Sequence, residues 1–205
     1  MKLAGLVLLM MCFLSATVRA EDPPPPKAPD LNFNLFEEKP KLTPAEEAAK
    51  ARHEADIARK VALRRKLLVT HQALGFATLG LLAITLVLGT LNYVDKYGGG
   101  NDTGDYYTAH TVFAGMATTT FALTGILALV APNPYPKPRR FDTAMLHKIL
   151  MGLACAGFVA ESILGPITAS REGKLDQRAW ALSHLVIGYG TFGFMGAGTL
   201  AFVFK

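Results

Sequence analysis

Five histidines stand in this 205-residue chain, and four of them are almost evenly spaced: His71, His110, His147 and His184, separated by 39, 37 and 37 residues. Each lies close to the start of a long apolar stretch. Each is followed about one turn later by a glycine, namely Gly75, Gly115, Gly152 and Gly188. Imidazole is the commonest metal ligand among side chains, and its two ring nitrogens can take different partners. Ionisable groups inside apolar spans are rare, and they mark functional sites. A single histidine there can be a hydrogen-bonded structural residue; four, one per stretch at matched depth, read as a ligand set. The fifth, His53, sits among charged residues and reads as a solvated surface group.

The stretches that carry the four histidines have the composition of membrane helices. The chain is 51% hydrophobic and 18% charged, against about 25% charged for soluble proteins. No Asp, Glu, Lys or Arg occurs in 67–94, 106–136 or 179–204, and 143–170 holds only Lys148 and Glu161. A membrane-spanning helix needs about 20 mostly apolar residues. The sequence therefore predicts an all-α membrane protein, a four-helix up-down transmembrane bundle with spans near 67–94, 106–131, 143–168 and 179–204. This pattern excludes a soluble enzyme, a disordered chain and a sequence-reading nucleic-acid binder. The net charge of +5 is assigned to basic residues that flank spans and meet lipid headgroups, so no nucleic-acid partner is expected.

Before the bundle, residues 1–20 read as a signal peptide: Lys2, an apolar run over 3–18, and Val18-Arg19-Ala20 as a cleavage site. An uncleaved anchor is the alternative. Residues 21–42 form a Pro-rich linker, and 43–66 a polar, basic amphipathic helix. Thr43, Pro44 and Glu46 give that helix a capping box and a favoured first residue. The haem-binding domain expected below occupies 67–204. Cys12 and Cys155 both lie in apolar segments and suggest neither a disulfide framework nor a metal site.

Short connections make neighbouring spans antiparallel. His71 and His147 then share one end of the bundle, and His110 and His184 share the other. In an up-down bundle each pair faces across a diagonal. Two opposed imidazoles are what a six-coordinate haem iron requires, and a glycine near each ligand leaves room for the porphyrin plane. Two non-covalent b-type haems are the expected cofactors, with the four histidines as axial iron ligands. A zinc site would want three or four converging ligands, and each end supplies two. A divalent-metal or proton-conducting bundle is the non-redox alternative. Glu161 lies 14 residues beyond His147, about 21 Å along a helix, level with His110 and His184. It is a candidate to orient one of those rings, as carboxylates do for metal-bound histidines.

Carried by these four histidines and their spacing, residues 67–204 resemble the core of the cytochrome b561 family of transmembrane electron carriers. In that family the first and third core helices ligate one haem and the second and fourth the other. The resemblance implies a transmembrane oxidoreductase activity: electrons passed across the bilayer between a donor and an acceptor, with quinol among the candidates. More distantly the chain is similar to haem-bearing anchor subunits that take electrons from quinol for larger respiratory complexes. Either reading allows a homodimer or a subunit of a larger complex.

Localisation in the plasma (inner) membrane follows from the signal, which also places the N-terminus outside after cleavage. Charge opposes that orientation, because 41–66 and the loop with Lys137, Arg139 and Arg140 are basic and would face inward. The signal is given the greater weight. In a background without Cys12 and Cys155, Asp30→Cys should react with an impermeant thiol reagent added outside, and Asn101→Cys should not. The reverse pattern would invert the orientation.

Overall fold

The computed structural model describes residues 42–135, 138 and 140–203, without the Val203 side chain. The signal peptide at 1–20 and nearly all of the linker at 21–42 lie outside the described residues. Those described form four α-helices: α1, Pro44–Tyr97; α2, Tyr107–Val130; α3, Thr143–Ser170; and α4, Gln177–Val203. All four are long and apolar enough to cross a membrane.

Helix α1 begins as the sequence predicts. Thr43 Oγ1 accepts from the Glu46 backbone N–H at 3.3 Å, and the Glu46 carboxylate accepts from the Thr43 N–H at 2.7 Å. The polar segment and the first span form one continuous helix of 54 residues, about 81 Å long. Nothing in 43–97 interrupts it, because no proline or glycine falls between Pro44 and Gly75. Its basic portion is tied to the connection between α2 and α3 through Arg64, whose guanidinium donates to the Pro132 carbonyl at 2.8 Å.

Helix α1 packs on α2, α3 on α4, and α1 on α4. The bundle is therefore two antiparallel hairpins laid together, with α1 opposite α3 and α2 opposite α4. The two hairpin connections beyond α1 and α3 meet through Lys96, whose ammonium pairs with Glu172 and lies 3.3 Å from Asp102. That ammonium, together with Gln177, holds the Glu172 carboxyl below the usual carboxylate range.

The core repeats one frame four times. Seven residues after each histidine stands a small side chain: Thr78, Ala117, Ala154 and Thr191, at 0%, 1%, 0% and 1% exposure. Such positions admit only small residues because the helices come closest there. The two threonines satisfy their hydroxyls locally, Thr78 on the Leu74 carbonyl and Thr191 on that of Ile187, as buried helical threonines do. Eleven residues after each histidine stands a large apolar one: Leu82, Phe121, Phe158 and Met195. These fill the centre, with Phe121 and Phe158 stacked at 4.2 Å between centroids. The outward faces stay apolar, as Val87, Ile126, Leu153 and Val186 show. A bilayer suits that surface better than water does.

Helices α3 and α4 pack tightly at Gly157, where a Cβ would stand 2.1 Å from Thr191 Oγ1. Thr191 Oγ1 is committed to the Ile187 carbonyl, so moving it aside would break that hydrogen bond. Gly157→Ala should therefore destabilise the bundle by about 1–3 kcal/mol, measured by unfolding in mixed micelles. A variant as stable as the parent would mean that the hairpin is looser than described.

Candidate functional site

The four histidines meet as the sequence predicts, in two diagonal pairs. His71 and His147 have ring centroids 6.2 Å apart and planes at 78°; for His110 and His184 the values are 5.9 Å and 81°. A metal–imidazole bond of about 2.0 Å, added to roughly 1.2 Å from nitrogen to ring centre, sets two opposed ligands about 6.4 Å apart by centroid. Both pairs have about that separation. His53 is exposed on the polar part of α1 and belongs to neither.

Each ring is held by its other nitrogen. His71 Nδ1 lies 2.8 Å from the Thr124 carbonyl and His110 Nδ1 3.0 Å from the Thr85 carbonyl, so α1 and α2 exchange reciprocal contacts. Helices α3 and α4 do the same: His147 Nδ1 is 2.9 Å from the Gly198 carbonyl, and His184 Nδ1 is 2.5 Å from Glu161 Oε2. A carbonyl can only accept, so in the first three rings Nδ1 carries the proton. Nε2 then bears the lone pair, which is the form a metal-binding imidazole takes.

All four acceptors lie 14 residues beyond the histidine of their own helix: Thr85, Thr124, Glu161 and Gly198. Fourteen residues are four turns, about 21 Å, which sets the distance along the axis between the two pairs. This repeat was present in the sequence alongside the spacing of the histidines. Glu161 is its exception, a side chain standing where the other three helices offer a backbone carbonyl. Glu161 Oε2 lies off the axis of a linear N–H···O bond, and neither its Oε1 nor His184 Nδ1 has a hydrogen-bond partner.

A cavity of about 1030 Å³ surrounds the His110/His184 pair and runs toward the loop end of the bundle. Mostly apolar walls with a few convergent polar groups are the usual build of a cofactor pocket. Tyr97 Oη and Thr168 Oγ1 are buried there without hydrogen-bond partners, as are Glu161 Oε1 and His184 Nδ1, and all four residues line this cavity. Buried polar atoms normally have partners, and the Tyr97 and Thr168 hydroxyls, which pair with no other polar side chain here, fit a polar-edged ligand. At the other pair, Phe202 packs on the His147 ring at 4.8 Å.

The glycines divide. A Cβ at Gly115 or Gly152 would meet nothing within 4 Å, consistent with clearance, and Gly115 lines the cavity. Gly188 also lines it, but a Cβ there would stand 3.2 Å from Leu86 Cδ2 and 3.6 Å from Glu161 Oε2. At Gly75 the neighbour is Thr124 Cγ2 at 3.8 Å. A Cβ would thus make an ordinary contact at Gly75 and a tight one at Gly188. Two others lie against ligand rings: a Cβ at Gly89 would be 2.8 Å from His110 Cε1, and one at Gly165 would be 3.6 Å from His184 Cε1. Both stand 18 residues after a histidine. They belong to the facing helix, so a search for glycines close after each histidine on its own helix passes over them.

No group of three or more His, Cys, Asp or Glu side chains able to hold a metal ion occurs among the described residues. The free Cys155 stands alone, partly buried on α3. Two imidazoles per site suit an iron whose equatorial ligands come from a macrocycle. Comparison with family models, curated proteins and solved structures finds no match for this chain.

Gly89→Ala should displace the His110 ring and cost about 1–3 kcal/mol of stability. Gly152→Ala, with open space around its Cβ, should be neutral or gain up to about 1 kcal/mol from helix propensity. Equal effects in denaturant titrations of the two variants would contradict the contact at Gly89.

Proposed function

We propose that the chain is a b-type dihaem membrane cytochrome carrying electrons across a bilayer, similar in plan to the cytochrome b561 core. One observation carries the reading: the four rings face each other in two diagonal pairs, and in three of them Nδ1 is held by a carbonyl of the adjoining helix, which leaves Nε2 free for a shared ligand. When bound, each haem supplies reversible one-electron chemistry at iron.

His71 and His147 would hold one haem, and His110 and His184 the other. The hydroxyls of Tyr97 and Thr168 are donors for the polar edge of the group at the second pair. Apolar core residues between the pairs exclude water, and the carbonyls of Thr85, Thr124 and Gly198 keep three ligands in one tautomer. A divalent-metal site is less well supported, because neither pair gains a third ligating side chain among the described residues; a proton-conducting bundle is the other non-redox reading.

In the cell, the protein is proposed to reside in the inner membrane, delivered by a signal at 1–20, with its N-terminus outside and His71/His147 nearer that side. Its partners would be lipid, a donor and an acceptor, with quinol as a candidate donor.

The purified chain should be red and contain about two haems per polypeptide by pyridine haemochrome, one for each histidine pair. His71→Ala and His147→Ala should each leave about one, and so should their double variant, because one haem cannot be lost twice. His71→Ala/His110→Ala should leave almost none. Retention of both haems in His71→Ala/His147→Ala would refute diagonal pairing. A parent with no haem would refute the redox reading.

A further inference from the structure

We propose that the two histidine sites differ by construction in how readily they are reduced. The His110/His184 site is the harder to reduce because the Glu161 carboxylate lies against His184, so the downhill direction for an electron runs from that site to the His71/His147 site. The proposal rests on the reading of both pairs as haem ligands.

Three of the four ligand rings meet a neutral backbone carbonyl through Nδ1. Only His184 meets a carboxylate, at 2.5 Å, with the two side chains 22% and 19% exposed. So little hydration leaves the interaction weakly screened. A negative charge this close to the ring favours the oxidised, more positive metal. Glu161 is thus a positioning residue that also sets the charge at the site.

The remaining charges act in the same sense. The charged side chains lining the cavity at this end are Lys96, Asp102, Glu161 and Glu172, three acids against one base. Lys96 is already shared between Asp102 and Glu172. The other end is basic: Arg64, Arg65 and Lys66 precede His71, Lys148 follows His147, and Arg140 accompanies Asp142 at the start of α3. Arg64 is anchored there by the Pro132 carbonyl. Positive charge favours the reduced state. Transfer between the sites moves one electron, lost by one and gained by the other, with no proton or bond exchanged. With the N-terminus outside, the favoured direction is outward.

The test is a spectroelectrochemical titration of the full-length, haem-loaded protein. Two one-electron waves are expected in the parent; His71→Ala should remove the higher and His110→Ala the lower. Glu161→Gln should raise only the lower wave, by at least a tenfold change in reduced-to-oxidised ratio at fixed potential, which is 59 mV for one electron. Glu161→Asp, which keeps the charge, should restore most of the gap. The proposal is overturned if the lower wave survives His110→Ala, or if Glu161→Gln moves both waves equally or neither. If Glu161→Gln does not fold, the assignment from the two histidine variants decides alone. A parent without haem absorbance overturns the dihaem reading itself, an outcome distinct from a haem-bearing parent whose waves fall in the opposite order.

Discussion

The architecture depends on one hydrogen bond made in three copies and replaced in a fourth. A histidine near the start of each helix gives its Nδ1 to the neighbouring helix at the position 14 residues beyond that helix's own histidine. Because the exchange is reciprocal, it fixes the register of α1 against α2 and of α3 against α4. Because it consumes Nδ1, it commits Nε2 to the diagonal. The interior between the two levels must then fit one spacing, with small residues at the seventh position and large ones at the eleventh. A buried imidazole needs its N–H satisfied in any case, and here the same contact orients a ligand.

Much of this was legible in the sequence. The near-37 residue period of the histidines marks one helix and its connection per unit, and antiparallel succession forces the diagonal pairing. The charge-free stretches mark the spans within a few residues, and Thr43, Pro44 and Glu46 mark the start of α1. The level of Glu161 follows from counting turns from His147. The contacts between helices were harder to read. Gly75 and Gly188 follow their histidines as regularly as Gly115 and Gly152 do, yet they pack against other helices. Gly89 and Gly165 lie against rings that belong to a different helix, and sequence distance along one helix does not reveal that. The continuity of the polar segment with the first span was also only half legible, since composition changes at residue 67 while the backbone has no reason to break there.

The departures from symmetry are informative in their own right. Glu161 replaces a carbonyl, acids gather at one end and bases at the other, and Phe202 covers the His147 ring while a cavity opens beside His110 and His184. A fourfold sequence frame supplies two similar histidine pairs, and these local differences make their surroundings unequal.

The central claim is that each diagonal pair would hold one haem iron between its two imidazoles, whose planes stand at 78° and 81°. Low-temperature electron paramagnetic resonance of the oxidised protein addresses it most directly, because near-perpendicular imidazoles leave the iron orbitals nearly degenerate. The account predicts two low-spin ferric signals of large g anisotropy, one lost in His71→Ala and the other in His110→Ala. A high-spin ferric signal in the parent, or no haem iron at all, would contradict it.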